Sequence, residues 1–98
     1  MILEKYTKQP SEVKDYDVGY SDWLPPGDTV FDVTTTVLCL TNATDVALLN
    51  TSIVVSPDGI KFWMAGGTDG AKYKLTALVS TQGGRIDEIE LVFTIKDH

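Results

Sequence analysis

Three kinds of residue in this chain have the chemistry to act on a substrate or hold a metal, and their spacing argues against each in turn. The carboxylates gather in two places: Asp15, Asp17 and Asp22 in the first third, and Asp87, Glu88 and Glu90 near the end. Residues two apart in a strand share a face, so Asp15 and Asp17 project together and offer the oxygen ligands that a hard cation such as Ca²⁺ prefers. The loop spacing of an EF-hand is absent, however, and alternating carboxylates are also what a solvated strand face carries. The only histidine is His98, the last residue, where an imidazole lacks the fixed orientation that general-base catalysis needs. Cys39, the one cysteine, sits in the apolar run Val37-Leu38-Cys39-Leu40 with no histidine or lysine cluster beside it. That pattern describes a small buried hydrophobe rather than a nucleophile. Neither a phosphate-binding Gly-x-x-x-x-Gly-Lys loop nor a dinucleotide fingerprint is present. The expectation is therefore no enzyme, no cofactor and no metal.

The elements that carry these residues are strands. From Tyr73, the residues Tyr73, Leu75, Ala77 and Val79 share one parity, with Lys72, Lys74, Thr76 and Ser80 on the other. After the turn Gln82-Gly83-Gly84-Arg85 the alternation resumes with Ile89, Leu91, Phe93 and Ile95 against Glu88, Glu90, Thr94 and Lys96. A period of two over this length predicts a pair of half-buried antiparallel strands. Ile60, Phe62 and Met64 alternate in the same way after the turn Ser56-Pro57-Asp58-Gly59, and Tyr16, Val18 and Tyr20 share a face opposite Asp15 and Asp17. Phe31, Val33, Thr35, Val37 and Cys39 share a parity too, although the threonine run 34–36 suggests an edge strand or a break. Val46–Leu49 and Ile53–Val55 read as two short strands. Residues 1–10 read as either an edge strand or an arm. The corner Trp23-Leu24-Pro25-Pro26-Gly27-Asp28 separates two strands, with Trp23 plugging one end of the fold.

No window shows helical periodicity, and turns recur at roughly ten-residue spacing, so the expectation is all-β, about seven strands. The 98 residues allow one domain spanning 1–98, with enough buried surface for a two-layer core. Fourteen acidic against eight basic residues give a net charge of −6, with no basic stripe, which disfavours nucleic acid as a partner. No apolar run approaches the ~20 residues that span a bilayer, and no leader pattern opens the chain, which fits cytosolic synthesis. With no reactive constellation, function is sought on the surface. Trp63 lies on the opposite parity from Ile60, Phe62 and Met64: it faces outward as a contact anchor, or a bulge turns it inward. Leu78 and Val92 are apolar residues on outer parities, and with Trp63 they would make one exposed apolar patch. Arg85, in the last turn, is solvated, pairs with Asp87, or contacts a partner.

Two resemblances sharpen this reading. In Gly67-Thr68-Asp69-Gly70-Ala71-Lys72-Tyr73, a tyrosine follows a glycine-rich connection at the start of a long alternating strand. It resembles the tyrosine corner of immunoglobulin-like and fibronectin type III-like antiparallel β-sandwiches, in which the hydroxyl ties back to the preceding loop. Two further segments resemble small structural proteins of tailed bacteriophages, the fibre–tail adaptor type. The first runs Tyr16-Asp17-Val18-Gly19-Tyr20-Ser21-Asp22-Trp23-Leu24-Pro25-Pro26-Gly27-Asp28-Thr29-Val30. The second runs from Trp63-Met64-Ala65-Gly66-Gly67-Thr68 to Tyr73, then Gly84-Arg85-Ile86-Asp87-Glu88. The segment Phe31–Lys61 departs from the pattern. The resemblance implies a virion structural protein, made in the host cytoplasm, that joins tail and fibre components through contacts with tail, portal or fibre proteins, in several copies or as a homo-oligomer. A capsid decoration protein and a carbohydrate- or host-surface-binding module are the rival readings.

Overall fold

The computed structural model describes residues 2–19 and 24–97, so the expectations placed on Tyr20, Asp22, Trp23 and His98 lie outside the described residues. Seven strands are present among them: β1 (Ile2–Lys8), β2 (Val13–Gly19), β3 (Val30–Cys39), β4 (Leu48–Ser56), β5 (Gly59–Gly66), β6 (Lys72–Thr81) and β7 (Ile86–Ile95). They form two sheets, one ordered β1-β7-β6-β3 and the other β2-β5-β4. β2-β5-β4 reproduces the B-E-D sheet of an immunoglobulin-like sandwich and β3-β6-β7 its C-F-G sheet. The departure from an all-antiparallel expectation is β1, which runs parallel to β7 with Ile2 opposite Ile89 and Lys8 opposite Ile95.

The core follows from the period of two. Tyr73, Leu75, Ala77 and Val79 of β6 and Ile89, Leu91, Phe93 and Ile95 of β7 are fully buried, and they face Ile60, Phe62, Met64, Tyr16 and Val18 from the other sheet. Burying each large apolar side chain is worth roughly 1.5–3 kcal/mol, so these two central strands hold the layers together. Where the pattern misled, a bulge is the reason. β3 is continuous through Thr34–Thr36 and forms an edge, but its register shifts between Val30 and Asp32. That shift buries Val30 and leaves Phe31 62% exposed, out of phase with Val33. The two short strands expected between residues 46 and 55 are one, β4, with a register shift between Asn50 and Ser52. Asn50 fills the irregularity: its amide donates to the carbonyls of Ser52 and Trp63, while its oxygen accepts from the Thr35 hydroxyl across the sandwich.

Polar side chains tie both ends of the sandwich. At the end holding the β1–β2, β3–β4 and β5–β6 connections, the Tyr73 hydroxyl donates to Asp45 at 2.8 Å and accepts from the Thr68 backbone N–H at 2.9 Å. One side chain in the core thus fastens two loops. Gly67 packs against Ile95 at a φ of +107°, where an added Cβ would lie 2.8 Å from the isoleucine side chain. Lys8 is wholly buried here, and its ammonium donates to the carbonyls of Gly66 (2.7 Å) and Gln9 (2.8 Å), pinning the end of β1 to the end of β5. Burial pushes its pKa down, opposed by the charge of Glu12.

Candidate interaction surfaces

The outer face of the three-stranded sheet is built by register. β5 turns Ile60, Phe62 and Met64 inward, so Lys61, Trp63 and Ala65 point out. Pairing then lays three cross-strand rows beside one another: Val13–Ala65–Leu49, Asp15–Trp63–Ser52 and Asp17–Lys61–Val54. Val13 is 65% exposed and Leu49 55%, and Trp63 lies half-buried between them and the charged row. The outward alternative for Trp63 is the one found; the bulge lies in β4 opposite it, not in β5. Asp15 and Asp17 do share this face, but Lys61 sits 3.5 Å from Asp15. Among the described residues, no group of three histidine, cysteine or acidic side chains comes together to hold a metal ion. Beyond Trp63 the same face ends in a shallow depression of about 440 Å³ bordered by Asp17, Val54, Asp58 and Lys61.

Leu78 and Val92 lie elsewhere. They stand on the outer face of the four-stranded sheet, Leu78 47% exposed and Val92 half-buried beside Lys74. The outer faces of a two-layer sandwich point in opposite directions, so Trp63 cannot share a patch with Leu78 and Val92. The single apolar patch expected from parity is two patches, because parity fixes which side of a strand is outward but not which sheet the strand joins.

Arg85 is paired with Asp28. Its guanidinium donates to Asp28 at 2.9 Å, and the other Asp28 oxygen accepts from the backbone N–H groups of Gly83 (2.8 Å) and Thr29 (2.9 Å). Asp28 is nearly covered, with 5% of its side chain exposed against 50% for Arg85. Burial raises its pKa, but hydrogen bonds from the Gly83 N–H, the Thr81 hydroxyl, Arg85 and the Thr29 N–H outweigh that and hold the carboxyl below its ordinary value. A Cβ at Gly83 would lie 2.8 Å from the guanidinium and 2.9 Å from the carboxylate, so a side chain there would displace this pair. With Pro25, Pro26 and Gln82 these groups border a second depression of about 330 Å³. Sequence reasoning passed over Asp28. The signal was the pair of turn motifs Gly27-Asp28-Thr29 and Gly83-Gly84-Arg85, which the fold places in contact.

The molecule is an immunoglobulin-like β-sandwich, with its candidate contact surfaces on its outer faces and at one end. The family described as "Podophage GP4 fiber-tail adaptor protein gp77" matches residues 8–94. The chain belongs to that family and is a bacteriophage structural protein of the fibre–tail adaptor type. Among proteins with curated descriptions, none matches it. The match runs through residues 31–61, the stretch in which the sequence resemblance found no counterpart.

Proposed function

We propose that this protein is a non-enzymatic adaptor that joins tail and fibre components of a podophage virion through protein–protein contacts. The observation that carries the reading is the family match over residues 8–94. In this reading the protein is made in the host cytoplasm and becomes a virion component, and its partners are tail, portal or fibre proteins. The face around Trp63 is the docking surface: a large aromatic, flanked by Val13, Ala65 and Leu49 and bordered by Asp15, Asp17 and Lys61, has the apolar centre and polar rim of a protein contact. The end formed by Asp28, Gly83 and Arg85 supplies a second, more polar contact. Several modest contacts repeated on one particle add up to a durable attachment.

Deleting the gene tests the assignment. The expected product is tailed particles without fibres. Normally fibred virions would contradict the adaptor role, and fibred particles with fragile heads would point instead to capsid decoration.

A further inference from the structure

Of the eight lysine and arginine side chains, four have partners within the fold. Lys8 is buried on two carbonyls, while Lys14, Lys61 and Arg85 lie within 4 Å of Glu12, Asp15 and Asp28. The other four, Lys5, Lys72, Lys74 and Lys96, stand together. All take the outward parity of the four-stranded sheet, at the end where β7 finishes. Lys74, Val92 and Lys5 form one cross-strand row, Lys72, Thr94 and Thr7 form the next, and Lys96 follows Thr94 on the same parity. Lys74 is half-buried and the other three are exposed. Among the described residues no carboxylate comes within 4 Å of any of them, Asp69 and Asp97 at the neighbouring loop end included. A chain of net charge −6 thus keeps all its unpaired lysines on one half of one face. Glu88 and Glu90 stand on the other half, beside Leu78 and Thr76, and Leu38 and Val92 are the apolar neighbours of Lys74.

We infer that this lysine half-face docks an acidic patch on another protein, carboxylates meeting the lysines and a small neutral contact resting on Val92 and Leu38. The argument is charge complementarity. These lysines have no internal partner, so an acidic surface can engage them without breaking an ion pair of the fold. Strands lie ~4.8 Å apart and rise ~3.3 Å per residue, so Lys74 and Lys5 are rooted about 10 Å apart and Lys72 and Lys74 about 7 Å. Carboxylates two residues apart on a strand, or one turn apart on a helix, match the shorter spacing. Glu88 and Glu90 repel the same patch from the other half, which fixes the direction in which the partner lies. A nucleic acid fits less well. A duplex carries a charge every ~1.7 Å, and its run of phosphates would continue over Glu88 and Glu90. Exposed pairs are individually weak and screened by salt, so the contact is one modest member of a set. It adds a further surface to the adaptor reading, and it is tested on purified protein, so it stands or falls apart from virion phenotype.

The experiment titrates poly-L-glutamate, as the acidic polypeptide, into the isotope-labelled whole chain and follows its amide signals by nuclear magnetic resonance. At low salt the shifts are expected at Lys5, Lys72, Lys74, Val92 and Lys96, with the Trp63 and Glu88 rows unmoved. Affinity should fall about tenfold when salt is raised to about 0.5 M. Lys74→Glu should weaken binding about fivefold or more. Lys14→Glu has the same net charge, lies outside the patch and should bind as wild type does. The milder Lys72→Gln/Lys74→Gln variant, which removes charge without reversing it, should also lose affinity while keeping a native circular-dichroism spectrum. Absence of binding at low salt overturns the inference, as do shifts centred elsewhere or a Lys14→Glu loss equal to that of Lys74→Glu. A short DNA duplex bound more tightly than poly-L-glutamate would give the patch to nucleic acid and overturn it too.

Discussion

Tyr16 places its ring in the core, 4.6 Å from the ring of Tyr6 and 4.9 Å from that of Phe93, while its buried hydroxyl has no hydrogen-bond partner among the described residues. A buried polar group without a partner costs about 1–3 kcal/mol, so the ring here works against the expense of its own oxygen. Replacing Tyr16 with phenylalanine keeps the aromatic contacts and should leave stability at neutral pH unchanged or up to about 1 kcal/mol higher. Burial, then the charge of Glu12 and the neighbouring Tyr6 and Asp15, push the hydroxyl pKa up from 10.0 to about 12. Between those values the unfolded chain releases its proton first, so stability falls as pH rises from about 10 to about 12, and below that window the effect vanishes. Urea unfolding at neutral pH and across that window checks both points. The alkaline decline should shrink in Tyr16→Phe rather than disappear, because Tyr6 and Tyr73 are also raised. A loss of more than about 1 kcal/mol at neutral pH would mean that the hydroxyl has a partner.

Tyr73 shows how one element end organises two connections. Tyr73→Phe removes the bonds to Asp45 and Thr68 while keeping the ring, and thermal or urea unfolding should record a loss of about 1.5–3 kcal/mol, since one partner is a carboxylate. Asp45 is held below the ordinary 3.8 by the Ala47 N–H and then by the hydroxyls of Thr68 and Tyr73. Its contribution is therefore present above that value and lost as pH falls through the lowered one, and the variant should lose less on acidification. A Tyr73→Phe protein as stable as wild type would show that the loops are held by other means. The tie from Tyr73 to the preceding loop was legible only through the resemblance of Gly67–Tyr73 to the tyrosine corner of immunoglobulin-like sandwiches. The inward sets of β5, β6 and β7 were legible directly, because there the period of two runs without interruption. The bulges at Phe31 and Thr51 were not, because an extra residue leaves the composition of a strand unchanged while inverting its parity. The parallel run of β1 was not either, since pairing direction is set by which edge is left open and not by the strand's own residues.

Seen whole, the protein is a two-layer platform with two outer faces that point in opposite directions. Parity left Trp63 either outward-facing or turned in by a bulge, and it marked Arg85 as a turn residue. Their neighbours were not legible, because Val13, Leu49 and Asp28 reach them from strands and turns distant in sequence. Sheet membership decided that Leu78 and Val92 stand apart from Trp63, and no local pattern encodes it. In the proposed adaptor role, a face meeting the tail leaves another free for a fibre. In that proposed role, fibre attachment depends on the Trp63 face. Its most direct test is to complement deletion particles with Trp63→Ala protein, matched to wild type in circular dichroism, and count fibres per particle by electron microscopy. The expected result is tailed particles that have lost most of their fibres, and fibre numbers equal to wild type would contradict a docking role for Trp63.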